Sequence, residues 1–269
     1  MAPTIVLITG ANRGIGKGIL SLYLAKPNHV VIAANRDPEH PTSKALSELP
    51  KAEGTSLVVV KIDATVRTDP QEAVKTLRSQ GIDHIDILIA NAGMALSWPK
   101  VRDVDTDEIQ KHIVTNVYGL LWLFQAFRPV LQKAAKPIWV TIGSSAAFLT
   151  LTFKLSEPLK SSSEYRSKSN YIRRNMLPIQ NASYAPTKLM GHWYTKAIHF
   201  EEPWLTAFPM DPGFVQSDLG NRAARTLGSE KATITVEESV TGIVKVVDAA
   251  TRDTHSGKMW SYEVKEVPW

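Results

Sequence analysis

A single α/β domain built on a mostly parallel, doubly wound sheet is the fold class this chain predicts, and three observations predict it. Short β-branched runs alternate with helical patterns along the 269 residues, as repeated βαβ units require. Several runs are apolar throughout rather than alternating, the pattern of strands covered by helices on both faces. A glycine-rich turn, Thr9-Gly10-Ala11-Asn12-Arg13-Gly14-Ile15-Gly16, stands between the first run and the first helical pattern. In doubly wound sheets, ligands gather there, at the carboxyl ends of the strands.

Strands are expected at Thr4–Ile8, His29–Ala33, Ser56–Ile62, Ile85–Ala90, Ile138–Ile142, Leu205–Met210 and Lys258–Tyr262. Helices are expected near Gly14–Ala25, Thr42–Leu49, Pro70–Gln80, Asp105–Gln132, Tyr184–Phe200 and Val236–Ala250. Right-handed crossovers then give a seven-stranded sheet in the order 3-2-1-4-5-6-7, flanked by helices. No internal repeat or domain-scale linker interrupts residues 1–269, so one domain is expected. The exception to the rhythm is the stretch 148–182, with the polar run Ser161-Ser162-Ser163-Glu164-Tyr165-Arg166-Ser167-Lys168-Ser169-Asn170. Long loops of this kind are usually functional lids or excursions, and this one is expected over the site.

Composition excludes several classes. No apolar run approaches the roughly 18 residues that span a membrane. The N-terminus enters a strand at once and leaves no room for a signal peptide. The chain has no cysteine, which excludes disulfides and thiolate chemistry and suits a cytoplasmic setting. Its seven histidines are scattered without ligand spacing, so no metal is expected. The net charge of +5 and pI of about 9.3 come from interspersed residues rather than a basic tract, which argues against nucleic acid.

Two motifs carry chemistry. In the turn, Gly10, Gly14 and Gly16 let the backbone bend tightly and let phosphate oxygens come close. The N–H groups of the helix it opens favour a pyrophosphate, with Asn12, Arg13 and Ile15 beside it. Far downstream, Tyr184 and Lys188 lie four apart on one helix face, so one bound molecule can touch both. A phenol is a poor acid at neutral pH, and an ammonium beside it is expected to lower its pKa for general-acid work. Pro186 is acceptable if the helix begins near Tyr184. The second strand ends in Asn35-Arg36-Asp37. Arg36, supported by Arg13, would bond a 2′-phosphate, which favours NADP(H) over NAD; Asp37 lies one place beyond the tip. Asp63 is placed near an adenine ring, and Asn91, Ala92 and Gly93 let the chain pass close to a cofactor. Trp98, Phe148, Phe153, Trp193 and Phe214 are candidates for an aromatic substrate pocket.

Together these residues, with Asn116, Ser144-Ser145 and Asp211-Pro212-Gly213, resemble the short-chain dehydrogenase/reductase family over essentially the whole chain. The Pro212–Gly220 segment and the terminal Val267-Pro268-Trp269 are similar to a carbonyl-reductase-like branch that includes fungal ketoreductases of the norsolorinic acid type. The resemblance implies a Rossmann-like fold and a catalytic tetrad of Asn116, Ser145, Tyr184 and Lys188. Ser145 matches by its Ala146-Ala147 continuation, and Ser144 remains the alternative. It also implies that Ser217, near Val215, bonds the nicotinamide carboxamide, and that the chain forms a homodimer or homotetramer. Asn116, unfavoured inside a helix, is expected to bend it or to hold a water for proton relay. The connection from Ser145 to Tyr184 is much longer than relatives carry, and an outward loop can absorb it. The expected activity is NADPH-dependent reduction of a small-molecule ketone or aldehyde, by hydride transfer from the cofactor. Two other readings compete: oxidative alcohol dehydrogenation, and a catalytically silent NADP-binding sensor.

Overall fold

The computed structural model describes residues 2–154, 171–175 and 180–269, with backbone alone at 150–154 and 171–175. The chain opens with β1 (Thr4–Thr9), α1 (Gly14–Leu24), β2 (His29–Asn35) and the single turn α2 (Pro41–Lys44). It continues through β3 (Ser56–Lys61), α3 (Asp69–Ser79), β4 (Ile87–Ala90), α4 (Thr106–Ile113), α5 (Gly119–Leu131) and β5 (Ile138–Ile142). After β6 (Thr150–Lys154) and β7 (Tyr171–Asn175) come α6 (Ala185–Glu201), β8 (Thr206–Asp211), α7 (Asp218–Thr226) and α8 (Val236–Ala249). The one-turn α9 (Arg252–His255), β9 (Met259–Ser261) and β10 (Lys265–Val267) complete it.

The main sheet runs β3-β2-β1-β4-β5-β8-β9-β10. Its first seven strands pair in parallel, in the predicted order, and the antiparallel β10 adds an eighth at the edge. Successive side chains of a strand face opposite sides, and β1 feeds two cores. Val6 and Ile8 pack with Ile19, Leu20, Ile243 and Val247 of α1 and α8. Ile5 and Leu7 pack with Leu77, Leu123, Phe127 and Ile198 of α3, α5 and α6. Burial on both faces is why the central strands read as unbroken apolar runs.

Several further elements depart from expectation. The helix expected over Asp105–Gln132 is interrupted by a π-helical turn at Val114–Tyr118, which contains Asn116. The helix expected at Thr42–Leu49 shrinks to α2 and one 3₁₀ turn at Ala45–Glu48. α7 was not foreseen, because its nine residues are mostly polar and the face it buries is made of Gly220, Ala223 and Ala224. Within 148–182 an antiparallel ribbon forms, with Thr150 opposite Asn175 and Lys154 opposite Tyr171. The remaining expectation for that stretch, a lid over the site, falls on 155–170 and 176–179, outside the described residues. No helix among the described residues is long and apolar enough to cross a membrane.

Candidate active site

A cavity of about 1600 Å³ opens along the carboxyl ends of the strands. Gly10, Asn12, Arg13, Gly14, Ile15 and Gly16 line one end, Arg36 and Asp63 the adjoining wall, and Asn91, Ala92 and Gly93 the middle. Ser144, Ser145, Tyr184 and Lys188 form the other end, and Pro212, Gly213, Val215 and Ser217 close the remaining side. Residues more than two hundred positions apart therefore share one cleft, because each follows the tip of a neighbouring strand.

The glycine turn is built from backbone that other residues adopt poorly: Gly10 and Gly14 have φ of 62° and 52°. At Gly16 a Cβ would lie 2.2 Å from the Gly10 carbonyl oxygen. Asn91 fastens this turn to β4, donating from Nδ2 to the carbonyls of Thr9 (2.8 Å) and Gly10 (3.2 Å). The first turn of α1 has no side-chain cap, so its N–H groups are available to an anion. β2 ends not in a carboxylate but in Asn35, which is buried and accepts from Ala11 N–H at 2.9 Å. Asp37 turns back on its own loop, accepting from Glu39 N–H at 2.9 Å. Arg36 is exposed on the cavity wall, and the Arg13 guanidinium lies 3.3 Å from Asp218. These features fit a dinucleotide: uncapped amides for the pyrophosphate, and the guanidiniums of Arg13 and Arg36 on the wall, with Asp37 beside Arg36.

At the other end, Tyr184 stands immediately before α6, with Pro186 in the first turn, where a missing N–H is harmless. Lys188 Nζ lies 5.9 Å from the Tyr184 ring centre and donates to Ile142 O at 2.7 Å. The expected lowering of the phenol pKa is reversed in the protein itself. Burial pushes Tyr184 well above its ordinary value, the Asp211 charge adds to the rise, and hydrogen bonding from Ser144 opposes it. Burial likewise pulls Lys188 down to about 8. Both shifts disfavour the charged form, as desolvation does.

The serine beside the phenol is Ser144. Ser145 faces Asp211 instead, its N–H donating to Oδ1 at 2.9 Å and its hydroxyl bonding the same buried carboxylate. The signal that separates the two is strand register. Gly143 N–H still bonds Met210 O at 2.8 Å, so the ladder of β5 runs one residue past Ile142 and Ser144 sits at its tip.

Asn116 lies behind the main cavity. Its Oδ1 accepts from Met94 N–H (2.8 Å), and its Nδ2 donates to Met94 O (2.9 Å) and Thr187 Oγ1 (3.0 Å). It thus ties the loop after β4 to α6, and it lines a small cavity of about 30 Å³ shared with Lys188 and Thr141, room for one water. Asp63 accepts from Thr65 N–H and Oγ1 in a local turn. Ser217 caps α7 by accepting from Gly220 N–H at 3.2 Å, so its hydroxyl already has a structural use.

Of the aromatic candidates, Trp98 and Phe214 line the cavity and pack with Ala95, Leu219 and Tyr184. Phe148 does not: it is buried against His192. Trp193 points outward, 65% exposed, beside Tyr194. The side chain of Phe153 lies outside the described residues. Arg222 of α7, which the sequence reading missed, donates to Ala95 O and lies over the Trp98 ring at 5.8 Å.

A doubly wound sheet with a glycine turn at one end of its cleft and a Ser-Tyr-Lys cluster at the other defines a nicotinamide-dependent oxidoreductase. The chain belongs to the short-chain dehydrogenase/reductase family, whose short chain dehydrogenase pattern matches residues 4–154. Norsolorinic acid ketoreductase nor1 of Dothistroma septosporum is 39% identical, over 99% of this chain and 92% of that protein. The short-chain dehydrogenase srdF of Neurospora crassa is 36% identical, covering 99% and 98%. Among solved structures, NADPH-bound carbonyl reductase from chicken fatty liver superposes with a TM-score of 0.76 at 26% identity, covering all of both chains. These relatives place the chain with the ketoreductase and carbonyl reductase members of its family.

Proposed function

We propose that the protein reduces a ketone with NADPH, with Tyr184 as the general acid. The observation that carries this reading is a phenol that burial keeps protonated, hydrogen-bonded by Ser144 and with the Lys188 ammonium 5.9 Å from its ring centre. A phenol in that state is a proton donor, which suits reduction better than alcohol oxidation. Bound NADPH supplies the hydride. Tyr184 gives its proton to the carbonyl oxygen as charge develops there, and the Ser144 hydroxyl hydrogen-bonds the same oxygen. Lys188 stabilises the phenolate left behind. Asn116 holds the small cavity behind Lys188, where a water can return the proton.

The preference for NADPH is supported by Arg36 and Arg13 on the cavity wall beyond strand β2, which ends in Asn35, and the chicken carbonyl reductase was solved with NADPH bound. Trp98 and Phe214 offer apolar faces beside Tyr184, and three relatives 35–39% identical to this chain are named norsolorinic acid ketoreductase, so an aromatic or polyketide ketone is the substrate class proposed. Residues 182 and 183, where the chain comes back from the 148–182 stretch, are tied to the loop carrying Trp98 at the substrate end. There Ala182 N–H donates to Pro99 O and Ser183 Oγ to Ser97 O, beside Trp98.

The test is NADPH consumption against a panel of aromatic ketones and quinones, with Tyr184→Phe alongside. Wild-type turnover should fall by about 10²- to 10⁴-fold in the variant, while NADPH binding persists. Equal turnover in both proteins would remove Tyr184 from the mechanism.

A further inference from the structure

We propose that His192 is a positioning residue for this reaction: its imidazole holds the backbone of Ser144, and thereby the Ser144 hydroxyl, at the Tyr184 phenol. The inference rests on the reading of Ser144 given above.

His192 lies on α6, one turn beyond Lys188 and two beyond Tyr184, and is 1% exposed. The N–H of Ser144 donates to its Nε2 at 3.2 Å. A ring nitrogen that accepts bears no proton, so the neutral ring carries its proton on Nδ1. Burial and the charge of Lys188 keep the ring neutral, holding its pKa down to about 3. Nδ1 has no hydrogen-bond partner among the described residues. A buried donor without a partner is unfavourable, and an apolar side chain of similar volume would avoid that cost. The acceptor on the opposite edge of the ring is what such a side chain could not supply.

The seat is specific. A Cβ on Gly143 would lie 2.3 Å from Nε2, so the ring fills the space a side chain at 143 would take. Phe148 and Trp269 flank it, with ring centres 6.2 and 6.4 Å away. The next amide along, that of Ser145, is held by Asp211 of β8 at 2.9 Å. Two consecutive N–H groups past the tip of β5 are therefore gripped by buried acceptors from two different elements. Without His192, the Ser144 amide loses its partner at the point where the chain leaves the ladder. Its hydroxyl then loses a fixed relation to the phenol, and small misplacements of reacting groups are expensive in rate.

The experiment is a cycle of His192→Met, Ser144→Ala and the double variant, with His192→Gln, which keeps an acceptor on a side chain of similar reach. His192→Met should lower kcat about tenfold with KM for NADPH unchanged, and His192→Gln should restore most of the loss. In the Ser144→Ala background, His192→Met should lower kcat no further. An equal loss in both backgrounds would show that His192 does not act through Ser144, and wild-type kcat in His192→Met would overturn the proposal outright. Wild-type kcat in Ser144→Ala would instead defeat the reading of Ser144 itself. Should His192→Met fail to fold, ¹⁵N NMR of the histidine rings in the intact protein decides independently. A His192 proton on Nδ1 supports the proposal, and a proton on Nε2 refutes it.

Discussion

Replacing Arg36 with alanine should weaken the use of NADPH and leave NADH almost untouched. Around the tip of β2, Asn35 is turned inward to Ala11 and Ser43, and Asp37 is engaged by Glu39 N–H. Asn35 is therefore not set to accept from free ribose hydroxyls, and Asp37 has one carboxylate oxygen tied to its own loop. No ion pair to Arg36 occurs among the described residues, whereas Arg13 shares its charge with Asp218 at 3.3 Å. Arg36 is thus the less encumbered cation for a 2′-phosphate. A charge-assisted hydrogen bond is worth about 1.5–3 kcal/mol, and an exposed site open to salt belongs at the lower end. At about 1.4 kcal/mol per decade, Arg36→Ala should lower kcat/KM for NADPH roughly 10- to 30-fold. Initial rates with each cofactor, at low and high ionic strength, provide the assay, and added salt should depress the NADPH reaction of the wild type more than that of the variant. If the variant loses NADH and NADPH equally, or the wild type prefers NADH, the assignment of Arg36 to the 2′-phosphate is wrong.

Asn116→Ala removes three hydrogen bonds and strands both backbone groups of Met94. A loss of about 2–3 kcal/mol is expected, seen as a fall in Tm of roughly 4–12 °C by calorimetry. Lys188 gives stability a pH dependence of definite sign. Its value in the folded protein is about 8 against an ordinary 10.5, so between those limits the unfolded chain binds more protons. Stability should therefore rise with pH across that window, by up to about 3 kcal/mol, and denaturant titrations of Lys188→Met should lack this rise.

Most of the fold was legible because burial on both faces writes itself into residue composition. The runs at β1, β2 and β4 could be placed from Val and Ile content, and their parallel order followed from the crossovers. The elements that were missed carry no such mark. β10 has three residues, two of them exposed and charged. α7 is amphipathic over nine residues, two of them alanines that bury little area. The cleft was legible where its lining depends on local spacing, as at Gly10–Gly16 and Tyr184/Lys188, which share one cavity. It was not legible where chemistry depends on where a strand stops. The Ala146-Ala147 continuation favours Ser145, yet the hydrogen bond from Gly143 to Met210 carries the ladder one residue further and turns Ser144 to the phenol. The direction of the Tyr184 shift escaped for a related reason: the positive neighbour is visible in the sequence, and the depth of burial is not.

That depth gives Lys188 a definite place in the pH profile. With a folded value of about 8, the ammonium proposed to stabilise the phenolate left by proton transfer is present below pH 8 and titrates away above it. Tyr184, raised by burial, stays protonated throughout this range and contributes no limb of its own. The reductive kcat/KM, which reports the free enzyme, should therefore be level through neutral pH and decline above about pH 8. Lys188→Arg makes the attribution testable, because a guanidinium does not deprotonate in this range. The variant should be slower, since its fork cannot reproduce the single bond from Nζ to Ile142 O, but its alkaline decline should move to higher pH. A decline that stays near pH 8 in Lys188→Arg would assign it to another group and leave Lys188 a binding role alone.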